Sequence, residues 1–350
     1  MKNYIKSRED FISSYYFARL SNISYSEVLT KEQFENLDIQ NCDILSEDNT
    51  AVFYKLNQFT LKENDVIFTN YKLINELFFH LRKANEFKNI TLITNQQDEM
   101  IKKSLYSKKP DCISRWFSIN VEHIADDLLV LPLGLSNEYS PKNPNADDFF
   151  KLYENMKDSK DISLYINHRA NTNLSDRKNI YDIFSDKEWV EIDEPNLEIG
   201  SYLNKIQHSL FVLCPWGNGV DTHRVWETLY SGSIPVIKNH QTFTCLKDLP
   251  ALFINNYEEI NLDLLNEFAE KYYSNTFNYE KLKMNYWENL IKNNKKIDSS
   301  LERIFQESKF YTIKTKAKLY LIAKIGRYKK IVIFNLNKIK KIPKKLGLIK

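Results

Sequence analysis

Cysteine, glycine and long apolar runs are all scarce in this sequence, and each shortage excludes a class of protein. Only four cysteines occur in 350 residues, and none form a CxxC pair, which argues against a structural zinc site or a disulfide framework. No stretch approaches the roughly 18 uncharged apolar residues of a membrane-spanning helix. The first thirty residues also lack the apolar core of a signal peptide. We therefore expect a soluble protein of the cytoplasm.

Apolar residues are nevertheless plentiful: 43% of the chain is hydrophobic and 13% aromatic, enough for about two domains of roughly 150 residues each. Charge is distributed unevenly. Residues 311–350 carry thirteen lysines or arginines and no acidic residue, which leaves 36 of the 49 basic residues against all 46 acidic ones. An acidic body with a basic tail is not typical of a nucleic-acid-binding protein.

The alternation of apolar segments predicts an α/β fold. Residues 65–70 and 89–95 are typical of buried strands, and 71–87 between them has helical spacing. A second alternation begins at residue 161, after a segment rich in Pro, Asn and Asp. Residues 1–60 give no clear order, and 256–310 are predicted to be helical. The predicted domains are 1–150, 151–310 and a tail, 311–350.

The most informative segment is 209–238, SLFVLCPWGNGVDTHRVWETLYSGSIPVIK, which holds three of the seven glycines. It predicts a strand over 209–214, a glycine turn containing Gly217 and Gly219, a helix that begins near Asp221 and ends before Gly232, and a second strand over 234–238. A turn of this kind lets the backbone approach a ligand, and the N-terminus of the helix favours an anion.

Two charged residues on that helix suggest the ligand. Arg224 offers a guanidinium suited to a diphosphate, and Glu227, three residues later on the same face, can accept hydrogen bonds from ribose hydroxyls. The alternative is structural: Asp221 caps the helix, Arg224 and Glu227 form a surface ion pair, and the glycines only turn the chain.

The run CPWGNGVDTHRVWETLYSGSIPVI resembles the donor-site segment of exostosin-like glycosyltransferases, including bacterial relatives from surface-polysaccharide clusters. Weaker similarities occur in LITNQQDEM (92–100), SRWFSIN (114–120), LLVLPLGLSN (128–137) and SLYINHRANTNLSDR (163–177). The resemblance implies a GT-B fold, in which two Rossmann-like domains face each other across a cleft and the second binds the nucleotide sugar. It also implies that Arg224 contacts the diphosphate, Glu227 the ribose, and that Asp221 and His223 line the same pocket.

Other candidates follow predicted strands. Asp98 comes after strand 89–95, where a general base for the acceptor hydroxyl would lie, although it could equally cap a loop. Glu122 and His123 compete for the same role. Arg169 follows strand 161–167 and is either a contact to the donor phosphates or a surface arginine. His80, within an apolar helix, is interpreted as a packed core residue.

We therefore expect a glycosyltransferase that moves a sugar from a nucleotide-sugar donor to a hydroxyl of a glycan or lipid-linked glycan. The alternatives are a fucosyltransferase-like enzyme of the same fold and a non-catalytic nucleotide-sugar- or polysaccharide-binding assembly protein. No two aspartates are separated by a single residue, so we expect no metal and no cofactor: basic side chains and the helix terminus would neutralise the leaving diphosphate.

The basic tail, 311–350, has apolar residues three or four positions apart among its lysines, which is typical of an amphipathic helix. Such a helix can lie on an anionic membrane surface. The alternatives are docking on the acidic body, binding a partner, or disorder. The membrane interpretation places the protein at the inner face of the cell membrane.

Overall fold

Two β-sheets, each covered by helices, form the frame of the protein in the computed structural model, which describes residues 4–155 and 159–325. The strands are β1 (Ile23–Thr30), β2 (Cys42–Glu47), β3 (Ala51–Leu56), β4 (Gln58–Lys62), β5 (Val66–Asn70), β6 (Ile90–Asn95), β7 (Ile113–Ser118), β8 (Leu128–Val130), β9 (Ile162–Ile166), β10 (Val190–Ile192), β11 (Ser209–Leu213), β12 (Ile234–Lys238), β13 (Leu252–Ile254) and β14 (Glu302–Gln306). The α-helices are α1 (Ser14–Arg19), α2 (Lys31–Asn36), α3 (Ile74–Leu81), α4 (Lys103–Tyr106), α5 (Ala146–Glu154), α6 (Leu174–Arg177), α7 (Ile180–Phe184), α8 (Ile199–His208), α9 (His223–Tyr230), α10 (Leu262–Ser274) and α11 (Met284–Lys292). Residues 309–325 are also helical and are called the C-terminal helix.

The first sheet is mixed, with the strand order β2-β3-β1-β5-β6-β7-β8. Strands β1 and β5 to β8 are parallel, whereas β3 pairs antiparallel with both β1 and β2. Every residue of β5 and β6 is buried, as expected for parallel strands with both faces covered. Residues 1–60, whose order was not predicted, thus contribute β1, parallel to β5, and the antiparallel pair β2 and β3 at the edge of the predicted parallel sheet.

The second sheet is entirely parallel, with the strand order β10-β9-β11-β12-β13. The strands predicted at 161–167, 209–214 and 234–238 are confirmed as β9, β11 and β12. Because β10 lies on one side of β9 and β11 on the other, the chain changes direction across the sheet between β9 and β11. Ligands of open α/β sheets bind at such a switch point, beyond the carboxyl ends of the strands.

Side chains from both sheets pack into one hydrophobic cluster. The first half of the chain, which carries the first sheet, and the second half, which carries the second sheet, are therefore joined by apolar packing. Phe11 and Phe117 of the first half and Trp226 of the second belong to this cluster. Polar contacts cross the same junction: the Tyr230 hydroxyl accepts the Ile12 N–H at 3.0 Å and donates to the Leu282 carbonyl oxygen at 2.8 Å.

The end of the described chain returns to the first half. The helical prediction for residues 256–310 is confirmed for α10 and α11 and wrong for β14, which pairs antiparallel with β4 and stacks Phe305 on Phe59. The buried Glu307 carboxylate then forms an ion pair with Lys55 and lies 2.6 Å from His80 Nε2. His80 is therefore the packed residue that the sequence predicted.

No helix within the described ranges has the length and apolarity needed to cross a bilayer. The predicted tail lies partly outside those ranges, from residue 326 onward.

Candidate functional site

A cleft of about 750 Å³ lies beyond the carboxyl ends of β9 and β11, at the switch point of the second sheet. The turn after β2 and the segment before α5 contribute its other wall, so both halves of the chain line it. Its lining includes Thr50, Lys142, Asn143, Asn167, Arg169, Arg177, Tyr202, Asn218, Thr222, His223, Arg224 and Glu227. Lys142, Arg169, Arg177 and Arg224 stand against one carboxylate, Glu227, in this lining, which favours an anionic ligand, while Pro195, Leu197 and Ile199 add an apolar patch.

Arg224 and Glu227 both face the cleft from α9, but they do not form the direct ion pair that the alternative interpretation required. The hydroxyl of Tyr202, on α8, lies between them: it accepts the Arg224 Nε–H at 3.1 Å and donates to Glu227 Oε2 at 2.7 Å. Burial raises the pKa of Tyr202 well above its usual value, so the hydroxyl keeps its proton. Glu227 is itself buried. The three side chains therefore form one fixed polar row along the cleft.

A second arginine, Arg177 at the end of α6, was not singled out from the sequence. Its guanidinium donates to three backbone oxygens, those of Trp216 (2.7 Å), Pro215 (3.0 Å) and Arg169 (3.2 Å). Burial and the nearby Arg224 lower the pKa of Arg177 to about 10, so it remains charged at neutral pH. Arg177 thus binds the loop after β11 to the loop after β9 and adds positive charge to the cleft.

The N-terminus of α9 opens on the same cleft. Thr222 is the residue that caps this helix, but its side chain accepts no backbone N–H there. Within the described residues, the buried Thr222 Oγ1 has no hydrogen-bond partner. Gly232 follows the helix with φ of +70°, which confirms the predicted helix end. A free helix N-terminus beside two arginines has the geometry of an anion site.

Asp221, predicted to line the donor pocket, is placed elsewhere. Only 3% of it is exposed, and its Oδ2 accepts the Leu133 N–H at 2.9 Å, while Trp226 Nε1 donates to the carboxylate at 3.1 Å. Its own N–H donates to Asn120 Oδ1 at 2.9 Å. Donors at the junction of the two halves occupy both oxygens of the carboxylate. Asp221 therefore joins the halves and does not line the cleft.

His223 does line the cleft, as predicted. Its Nδ1 lies 2.8 Å from the carbonyl oxygen of Gly134, and since a carbonyl can only accept, Nδ1 carries the proton. The contact also links the first turn of α9 to the first half of the chain. His223 is thus oriented by a fixed backbone group.

The two glycines of the loop have different surroundings. A Cβ on Gly219 would lie 2.8 Å from Asn120 Nδ2 and 3.2 Å from the Asp98 carbonyl oxygen, so this residue allows the loop to approach the first half closely. A Cβ on Gly217 would meet Thr222 Cγ2 at 3.3 Å. Neither glycine is among the residues that line the cleft; the exposed Asn218 between them is.

Asp98, the predicted general base, lies in a neighbouring pocket of about 380 Å³. Tyr71, Glu99 and Lys102 line this pocket with it, and Asn218 lines both this pocket and the cleft. The pocket therefore adjoins the cleft across the glycine loop.

The remaining candidates are dispersed. Arg169 is exposed at the cleft and donates to Asn196 Oδ1 at 3.2 Å. Glu122 pairs with Lys102 on the surface at 3.5 Å, and His123 packs against Tyr106, so neither lines the cleft. In residues 4–155 and 159–325, no group of three His, Cys, Asp or Glu side chains could hold a metal ion. Independence from metal stays a prediction.

The parallel sheet, its switch point and the arginine-lined cleft define an α/β protein with a candidate site for an anionic ligand. Residues 171–305 match the family model of the RXYLT1 C-terminal domain, which belongs to a glycosyltransferase-related family. The matched segment contains Arg177, Tyr202, Arg224 and Glu227, so the second half of the chain is similar to a glycosyltransferase-related domain. No curated protein matches the chain. Among solved structures, an α1,3-fucosyltransferase with GDP-fucose is similar with a TM-score of 0.29 and 12% identity, covering 73% of this chain and 89% of that one.

Proposed function

We propose that this protein is a glycosyltransferase of the GT-B type that takes a sugar from a nucleotide-sugar donor. One observation carries the proposal: Arg224, the buried Glu227 and the open N-terminus of α9 face one cleft at the switch point of a parallel sheet. The match of residues 171–305 to a glycosyltransferase-related family supports it, because that segment supplies these residues.

In the proposed complex, the diphosphate of the donor contacts Arg224 and the N-terminus of α9. Arg177 contributes positive charge from the far side of the loop after β11. Arg169 is exposed at the cleft, so its side chain can reach a phosphate. Glu227 accepts hydrogen bonds from the ribose, and Tyr202 fixes both Glu227 and Arg224 in position. These groups stabilise the negative charge that develops on the diphosphate as it leaves, the role that a metal ion has in other sites.

The acceptor hydroxyl would approach from the pocket that contains Asp98. This carboxylate is the proposed general base, and Asn218 would contact both substrates because it lines both spaces. We propose a glycan or lipid-linked glycan as the acceptor, in bacterial surface-polysaccharide assembly of the exostosin-like kind. The resemblance of segment 209–238 is the support for that pathway.

The test is binding and turnover with a panel of nucleotide sugars, measured by thermal shift and by release of nucleoside diphosphate. Arg224→Ala should weaken donor binding about 10- to 100-fold, because charge-assisted hydrogen bonds of about 1.5–3 kcal/mol are lost. Glu227→Gln should weaken binding less, because the amide keeps one acceptor oxygen for the ribose.

Matched controls are Arg82→Ala and Glu258→Gln, both at exposed positions outside the cleft. Arg224→Lys keeps the positive charge while removing the guanidinium, so it distinguishes the contribution of the charge from that of the guanidinium. Wild-type affinity in folded Arg224→Ala and Glu227→Gln variants would place the donor elsewhere. Binding without release of diphosphate, across donors and acceptors, would instead favour a nucleotide-sugar-binding assembly protein.

A further inference from the structure

The C-terminal helix, residues 309–325, has one face fixed to the first half of the protein. Tyr311 stacks on Phe79 with ring centroids 6.0 Å apart, and Lys318 Nζ lies 2.6 Å from Glu76 Oε1. Thr312 and Thr315 are buried. Glu307, two residues before the helix, is held by Lys55 and His80. The helix therefore has a defined orientation on the body.

The opposite face of this helix points outward and carries large apolar side chains, with Lys314 and Lys324 among them. From Tyr320 to Ile325 every residue is exposed, including Ile322 (52%) and Ile325 (47%) on other sides of the helix. Phe310, Ile313, Tyr320 and Leu321 are between 57% and 75% exposed. Their spacing of three, seven and one places them along one side of a helix of 3.6 residues per turn, together with Ala317. We call these five residues the apolar stripe. An exposed row of large apolar side chains indicates an interaction surface.

Positive charge lies among and beside the residues of the apolar stripe. Lys314 and Lys324 lie within the same outward face and Lys316 at its edge, and no acidic residue occurs anywhere in residues 309–350. The sequence from residue 326 to the end, outside the described ranges, adds nine more lysines or arginines. Whatever covers the apolar stripe must therefore accept apolar side chains and carry negative charge at its surface.

We propose that the apolar stripe lies on a membrane surface rich in anionic lipids. A bilayer interface fits a convex helix, because lipid chains adapt to protruding side chains whereas a protein partner would need a matching groove. Lysines that flank apolar residues can extend their ammonium groups to the headgroups while their stems stay in apolar surroundings. The helix then lies in the plane of the interface, with the first half of the protein on its other side. The proposal does not depend on the glycosyltransferase activity.

The test is co-sedimentation of the full chain with vesicles of phosphatidylcholine alone or with phosphatidylserine added. Binding should require the anionic lipid and weaken as salt is raised, because salt screens surface charges. Replacing Lys314, Lys316 and Lys324 together by Gln should weaken binding at least about tenfold, since each lysine near an anionic surface contributes about fivefold in affinity. Ile313→Ser combined with Leu321→Ser should have a comparable effect.

The matched control is Tyr273→Ser, which removes a 71% exposed apolar side chain from α10 and should leave binding unchanged. A second experiment uses a chain truncated after residue 325. Truncation at residue 310 is avoided, because it would also remove the contacts of Tyr311 and Thr312. If that shortened chain loses binding while the helix variants keep it, the apolar stripe is not the membrane surface. Equal binding to both vesicle types, or helix variants that alter only the oligomeric state, would also overturn the proposal. The vesicles contain no donor or glycan acceptor, so the outcome is independent of the enzymatic tests.

Discussion

Asp221 provides a sharp test of how the two halves are joined. Its carboxylate accepts the Leu133 N–H from the first half and the Trp226 indole N–H from the second. Burial raises the pKa of Asp221 from about 3.8 to about 7, although these donors act in the opposite direction. Between about pH 4 and pH 7, the folded protein should therefore keep a proton that the unfolded chain releases.

This difference fixes the sign and size of the effect. The folded state binds more protons than the unfolded state in that range, so the free energy of unfolding should fall as the pH rises. About 3 pKa units at 1.36 kcal/mol each gives a loss of about 4 kcal/mol by pH 7. Asp221→Asn resembles the protonated acid and does not titrate. Relative to wild type, its free energy of unfolding should therefore rise by about 4 kcal/mol between pH 4 and pH 7.5.

The measurement is urea unfolding, followed by tryptophan fluorescence at intervals of half a pH unit. Asp263→Asn, at an exposed position of α10, is the control and should follow wild type at every pH. Glu27→Gln should also lose part of the pH dependence, because burial raises the pKa of Glu27 to about 7 as well. Parallel curves for wild type and Asp221→Asn would refute the reasoning: the carboxylate would then be ionised in the fold, with its hydrogen bonds outweighing its burial.

Two further predictions concern the loop and pocket beside the cleft. Asp98→Asn should lower the rate of transfer sharply and leave donor binding intact in the assays above. The control is Asp111→Asn, at an exposed position outside both the cleft and the pocket. Loss of donor binding, or an unchanged rate, would shift the base to Glu122 or His123. Gly219→Ala should reduce the free energy of unfolding by about 1–3 kcal/mol, because its Cβ would lie 2.8 Å from Asn120 Nδ2. A Cβ on Gly200, in α8, would meet no atom within 4 Å, so Gly200→Ala should be neutral or stabilising. Equal effects of the two substitutions would contradict the close approach of the loop.

Local sequence patterns were sufficient to predict most of the second sheet, except β13, and the helix that carries Arg224 and Glu227. Strands β9, β11 and β12 are continuous apolar runs bounded by turn residues, and such runs are readable because parallel strands are buried on both faces. Strand β2 was not predicted, because much of it is exposed at the sheet edge and its apolar pattern is weak. The pairing of β14 with β4 was also missed, since it joins segments more than 200 residues apart.

By itself, the sequence determined that Arg224 and Glu227 share a helical face and that a strand and a glycine turn precede them, because these relations depend on neighbours within a few residues. Only the tertiary structure decided which groups they meet. It brought Tyr202 between them and placed Arg177 behind the loop after β11. It also turned Asp221 away from the cleft, into the junction with Leu133. Such contacts follow from the packing of helices on a sheet, which fixes distances between residues far apart in the chain and leaves no local signal in the sequence.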